Sequence, residues 1–180
     1  FIESEWWALK QIWDKGLLYK GFKIVPYCPR CGTPLSSHEV AQGYKDVKEK
    51  SAIAKFQVKG EENTFILAWT TTPWTLPSNV ALCVNPNEEY VRIQMEASGE
   101  QYILAKALLD SVIEGEYSVL ESYVGTDLEY KEYEPLFDFA KPDKKAYYVV
   151  CDTYVTLTDG TGVVHIAPAF GEDDANVGRK

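Results

Sequence analysis

The chain has 180 residues, of which 27 are acidic and 18 basic, giving a formal net charge of -9. That balance excludes a protein whose hold on nucleic acid rests on a broad basic surface, and leaves open an enzyme acting on one end of a nucleic acid held elsewhere. With 46% hydrophobic and 13% aromatic residues, the chain can fill the core of one large β-rich domain or one domain with an appendage.

Four cysteines stand at positions 28, 31, 83 and 151. Their spacing is no disulfide framework for a chain this long, which points to a reducing, cytoplasmic setting. No apolar run approaches the ~20 residues of a membrane span, so no membrane partner is expected. There is no signal-peptide pattern. The chain opens on Phe1-Ile2-Glu3 and closes on Gly178-Arg179-Lys180, and reads as a piece of something longer.

Ile2, Trp6, Leu9, Trp13 and Leu17 recur at intervals of three and four, one face of an amphipathic helix that Gly16 can stop. Glu3 and Glu5 sit in its first turn, where the helix dipole favours them. Tyr19 to Pro26 reads as a short strand. Cys28-Pro29-Arg30-Cys31-Gly32 then supplies two thiolates across a turn, half of a zinc knuckle. His38 is a candidate third ligand; otherwise the half-site is completed elsewhere, or the turn is free of metal. Cys83 and Cys151 lie in strand-like runs and read as core.

From Tyr44 the pattern changes to short strands and turns. Ala52, Ala54, Phe56 and Val58 alternate with polar neighbours, and Gly60 to Asn63 turns the chain into a strand from Thr64 to Trp69. Strands are predicted over 80–84, 90–95, 101–104 and 117–124, with a short helix over 105–113. Residues 130–139 read as an irregular edge, 146–157 as a long strand, 163–167 as a buried strand, and Gly171 onward as a helix. The chain is therefore predicted to be a β-rich α+β protein. Residues 46–180 would form a closed or nearly closed β-barrel of short strands with small peripheral helices. Residues 1–45 would carry the leading helix and the half zinc knuckle.

Two segments can carry chemistry. Trp69-Thr70-Thr71-Thr72-Pro73-Trp74-Thr75-Leu76-Pro77-Ser78-Asn79 packs four threonines, two tryptophans and two prolines into eleven residues. Pro73 and Pro77 forbid a continuous strand or helix, so the stretch reads as a pocket wall or as a decorated turn. The other segment runs from Gly160 to Asp174. Its Gly160-Thr161-Gly162 precedes a strand, the wrong order for a dinucleotide or P-loop site. His165 alone reads as either a core histidine or a catalyst, and Asp173 and Asp174 alone as helix-start residues.

Together and in this order, the two segments resemble the signatures of the editing domain of isoleucyl-tRNA synthetases. Tyr27 through Val40 is similar to the start of the connective insertion in the same class I subgroup. Thr72-Pro73-Trp74 stands where the valyl and leucyl relatives carry an arginine after their threonines. The resemblance implies hydrolysis of the ester in valyl-tRNA(Ile), with the tRNA 3′ end and the rest of the parent synthetase as partners. No HIGH or KMSKS signature is present, so ATP would serve only the parent enzyme, and editing itself would need no cofactor. A structural zinc at Cys28 and Cys31 would lack its second cysteine pair, which in the family lies beyond the insertion.

The resemblance also implies roles. Asp174 would hold the substrate's α-ammonium, and His165 would oppose isoleucine sterically beside Thr72. Thr70 and Thr71 would bond the aminoacyl group or orient the attacking water. Trp74 and Asn79 would wall the pocket or contact the terminal adenosine. Positioned water aided by the ribose hydroxyl is the expected route, with His165 as general base the alternative. Two other functions remain: a module that binds the tRNA acceptor end but needs its parent for activity, and an unrelated zinc-ribbon interaction domain.

Overall fold

Apolar residues at helical spacing form α1 (Ile2–Asp14), tied on its polar side by a 2.8 Å ion pair between Lys10 and Asp14. None of its residues is buried. The computed structural model describes residues 1–139 and 141–179, so Lys180 lies outside the described residues. It divides into two compact units, Phe1–Gly43 and Tyr44–Lys180.

In the first unit the strand expected over Tyr19–Pro26 does not form. The chain instead pairs β1 (Tyr27–Cys28) with β2 (Thr33–Pro34) as a two-residue antiparallel ribbon. Gly32, at φ 70, lets the turn close with its amide bonded to the Cys28 carbonyl at 2.8 Å. A short helix that the sequence pattern did not signal follows, α2 (Ser37–Ala41). The reciprocal Ser36 and Glu39 capping box creates it.

The second unit is a mixed eight-stranded sheet curled into a half-barrel, with few small helices. Its strands are β3 (Ala52–Gln57), β4 (Thr64–Thr70), β5 (Ala81–Val84), β6 (Glu89–Met95), β7 (Gln101–Ala105), β8 (Tyr117–Val124), β9 (Tyr148–Cys151) and β10 (Val163–Ile166). They are ordered β8-β6-β7-β4-β10-β5-β9, and β3 pairs antiparallel along one flank of β4. The other flank of β4 is shared. β7 lies parallel to its first half and β10 meets its last turn, where Val164 faces Trp69. Between the β3 and β9 sides run isolated bridges, Val58 to Tyr133 and Glu132 to Tyr148, in place of a regular closing strand.

Inside the curl, Phe56, Ile66, Leu82, Val84, Ile103 and Val149 form the main core. Burial of each such side chain is worth about 1.5–3 kcal/mol. The alternation in β3 is real but modest, since its first two apolar positions are only half-buried.

The long strand expected over 146–157 is shorter, covering only β9. Tyr147 enters it at φ 66, and Asp152 leaves it by accepting the Tyr154 amide at 3.3 Å, a turn that ends the ladder. The helix expected over 105–113 is a 3-10 turn, Lys106–Leu108, followed by α3 (Leu109–Val112). The final helix is α4 (Glu172–Val177).

Candidate active site

The threonine stretch leaves β4 at Thr70 and, against the expectation set by its prolines, winds into a 3-10 helix over Pro73–Ser78. Pro73 opens it, where a missing N–H costs nothing, and the tighter i to i+3 bonds tolerate Pro77. The bonds that hold it run from the Thr75 amide to the Thr72 carbonyl and from the Asn79 amide to the Leu76 carbonyl, each 3.0 Å. Thr70 is buried and its Oγ1 accepts the Thr72 amide at 3.0 Å, which sets the bend out of the strand. Thr71 and Thr72 are left exposed.

β10 brings the second segment alongside. Its glycine turn is built for close approach: a Cβ on Gly160, at φ 79, would sit 2.8 Å from the Trp69 ring. The buried Tyr90 hydroxyl donates to the Gly162 carbonyl at 2.7 Å and locks the turn under the sheet. Past β10, α4 begins just after Gly171, and Asp174 in its first turn accepts the Ala167 amide on Oδ2 at 2.9 Å. That leaves Oδ1 for a ligand.

The two segments meet at a cleft of about 360 Å³ lined by Trp69, Thr70, Thr71, Thr72, Trp74, Thr75, Val164, His165, Phe170, Gly171 and Asp174. This is the low end of the ~300–1,000 Å³ range of small-ligand sites. A larger hollow of about 480 Å³ beside β9, near Tyr130, Lys144 and Tyr148, lacks such a convergence of hydroxyls, imidazole and carboxylate. Size therefore does not pick the site; the chemistry does. His165 is 5% exposed, and its Nε2 lies 2.9 Å from Thr75 Oγ1, a contact between residues 90 apart in sequence. Burial pushes the His165 imidazole below its ordinary pKa, partly opposed by the Asp174 charge. Burial likewise pushes the Asp174 carboxyl up, against the lowering effect of the Ala167 amide and of His165.

The structure thus places Thr70, Thr71, Thr72, Trp74, His165 and Asp174 together. It does not bring Asn79 to the cleft. Asn79 is buried beneath it, with Nδ2 donating to the Ala81 carbonyl at 2.8 Å and Oδ1 accepting from Tyr133. Trp69, Thr75 and Phe170 line the cleft and were missed. All three lie inside the two segments singled out, so proximity in sequence was the available signal.

Cys28 and Cys31 sit in the first unit, where Cys28 Sγ accepts the Cys31 amide at 3.3 Å and is drawn below its ordinary pKa mainly by that bond. Among the described residues no group of three or more His, Cys, Asp or Glu is arranged to hold a metal. His38 Nε2 lies 2.7 Å from the Gln42 side-chain amide. Two thiolates fit half of a tetrahedral zinc site and no more. Cys83 is buried in the core as expected, and Cys151 is half-buried. Among the described residues no helix is long and apolar enough to cross a membrane.

A curled mixed sheet with few small helices thus carries a hydroxyl-rich cleft between β4 and α4. The profile described as tRNA synthetases class I (I, L, M and V) matches residues 1–155, and the chain belongs to that family. It is similar over its whole length to isoleucine–tRNA ligases. It is 68% identical over 180 residues to the one from Clostridium acetobutylicum, covering 100% of this chain and 17% of that protein. It is 50% identical over 181 residues to the cytoplasmic one from Mus musculus, covering 98% of this chain and 14% of that protein. The chain thus spans about a sixth of the length of such relatives. Its fold is similar to the cytosolic leucyl-tRNA synthetase editing domain of P. falciparum, at TM-score 0.56 and 13% identity, covering 71% of this chain and 64% of that one. The structure named GlLeuRS-CP1 is likewise similar, at TM-score 0.58 and 16% identity, covering 71% and 58%.

Proposed function

We propose that this chain is the editing segment of an isoleucyl-tRNA synthetase and hydrolyses the ester of valyl-tRNA(Ile). The observation that carries the reading is the cleft itself, where the Thr70–Thr72 hydroxyls, His165 and Asp174 converge from two remote segments. The need for it is energetic. One missing methylene is worth only about 1–3 kcal/mol to a pocket, a figure already established for valine against isoleucine in these very synthetases. A second, smaller pocket raises fidelity by accepting valine and refusing the larger side chain.

Each residue has a task its geometry allows. Asp174 uses one oxygen to hold Ala167 and has the other for the substrate α-ammonium. The incoming positive charge draws its raised pKa back down, so the carboxylate is ionised when loaded. His165, buried and neutral, forms a wall against the extra methylene of isoleucine, beside Thr72. Thr71, exposed and free of protein hydrogen bonds among the described residues, orients the attacking water. Thr70 is engaged as an acceptor by Thr72 and shapes the bend more than it touches substrate. Trp74, 70% exposed at the rim, offers an indole face on which the terminal adenine stacks. The ester carbonyl is attacked by water; the ribose oxygen leaves with a proton from its neighbouring hydroxyl, which regains one from the attacking water. No ATP and no metal is assigned a step. The remaining partners are the tRNA(Ile) 3′ end and the rest of the synthetase, in a cytoplasmic setting.

Incubating the chain with valyl-tRNA(Ile) and isoleucyl-tRNA(Ile) tests this. Release of valine with isoleucine retained supports it. Binding of both without release would mark the chain as an acceptor-end binding module that needs its parent. Release of both at one rate would refute the selectivity.

A further inference from the structure

Thr75 is 6% exposed and carries one hydroxyl hydrogen, yet its Oγ1 makes two short contacts. One is to the Thr72 carbonyl at 2.8 Å and the other to His165 Nε2 at 2.9 Å. A carbonyl oxygen can only accept, so the Thr75 hydrogen belongs to the Thr72 bond. A contact at 2.9 Å between an oxygen lone pair and a bare imidazole nitrogen would be repulsive, so the Nε2 must carry the hydrogen. A neutral ring has one N–H, which leaves Nδ1 bare. Nδ1 is in fact buried with no partner among the described residues.

We infer that Thr75 is a positioning residue that fixes His165 as the Nε2–H tautomer, in one ring plane, through the relay from His165 to Thr75 to the Thr72 carbonyl. The relay starts in β10 and ends at the first residue before the 3-10 helix, so it also sets the width between the two sides of the cleft. The chemical consequence is specific. Nδ1 is bare and buried, with no proton to give, so His165 cannot protonate the leaving ribose oxygen from that atom. It serves as a fixed wall, and proton delivery falls to the substrate's own hydroxyl. The inference on catalysis rests on the editing reading; the tautomer does not.

The test separates the two. The chain has two histidines, so its imidazole nitrogen spectrum is simple. Long-range proton–nitrogen NMR of the 180-residue chain should show His165 with a protonated Nε2 and a bare Nδ1 at neutral pH. A protonated Nδ1 would overturn the inference whatever the hydrolytic activity. Thr75→Val keeps the shape and removes the hydroxyl. It should mix the His165 tautomers and lower the valyl over isoleucyl hydrolysis ratio by about tenfold, while Thr75→Ser restores both. An unchanged tautomer and ratio in Thr75→Val would refute the positioning role. If Thr75→Val does not fold, the wild-type spectrum and Thr75→Ser still decide the matter. A serine variant that folds but shows mixed tautomers would also refute it, because the relay needs only the hydroxyl.

Discussion

The Tyr133 hydroxyl donates to Asn79 Oδ1 at 2.5 Å across 54 residues of sequence. Both residues are buried, and Asn79 spends its amide on the Ala81 carbonyl, so the pair ties the end of the threonine stretch to the bridge beside β3. Tyr133→Phe removes the donor and leaves a buried acceptor unpaired, a loss of about 1–3 kcal/mol. Urea unfolding should report that loss while the valyl over isoleucyl ratio stays at the wild-type value. A changed ratio with unchanged stability would return Asn79 to the substrate.

Asp174 sets function against stability. Its carboxyl is half-buried with its pKa pushed up, so at neutral pH the ionised form carries a desolvation cost. Asp174→Asn keeps an acceptor for the Ala167 amide and removes the charge. It should melt at or above the wild-type temperature at pH ~7 yet lose valyl-tRNA hydrolysis by about 10²-fold or more. Asp174→Ala should be equally inactive with the fold intact. Wild-type turnover by the asparagine variant would show that no ammonium is held there.

His165→Ala opens the wall of the cleft beside Thr72. Isoleucyl-tRNA hydrolysis should rise by about tenfold, because the site no longer meets the extra methylene with a rigid ring. Deacylation assays on both esters check this. If valyl ester is still cleaved and isoleucyl ester still refused, the wall lies elsewhere.

Acid should weaken the fold through the same histidine. The unfolded ring titrates near ~6.5, whereas the buried ring stays neutral to lower pH. Below ~6.5 the unfolded chain takes up a proton that the folded chain refuses, so this stabilisation is full above that pH and is lost as pH falls. Asp174 acts in the opposite sense: its raised folded pKa contributes stability at low pH, lost as pH rises through the window above ~3.9. His165→Gln cannot titrate and should flatten the fall in melting temperature between pH ~7 and ~5. An identical slope in the two proteins would exclude the effect.

The strands of the sheet were legible because alternation and turn residues mark them locally, as at Phe56 and Val58 or at Gly60 to Asn63. The order of the strands was not, since nothing near Val163 states that it will lie between β4 and β5. The 3-10 helix was missed because two prolines argue against an α-helix and are silent about a tighter one. Asn79 looked like a ligand contact because a polar side chain among hydroxyls suggests solvent or substrate; its true partner is a tyrosine no local pattern reveals. Thr75 was overlooked for the same reason, its role being defined by a residue 90 positions away.

Of the eight strands described, β10 comes latest in the sequence, yet it sits between β4 and β5. A ribosome that stalls before Val163 presents two strands with bare edges, the kind of surface that recruits chaperones or seeds aggregates. Parallel pairing over so long a loop is also slow to form. The four residues that fill the gap include His165. Insertion of β10 thus seats His165 at the cleft, and the residues that follow it bring Asp174 to the same place.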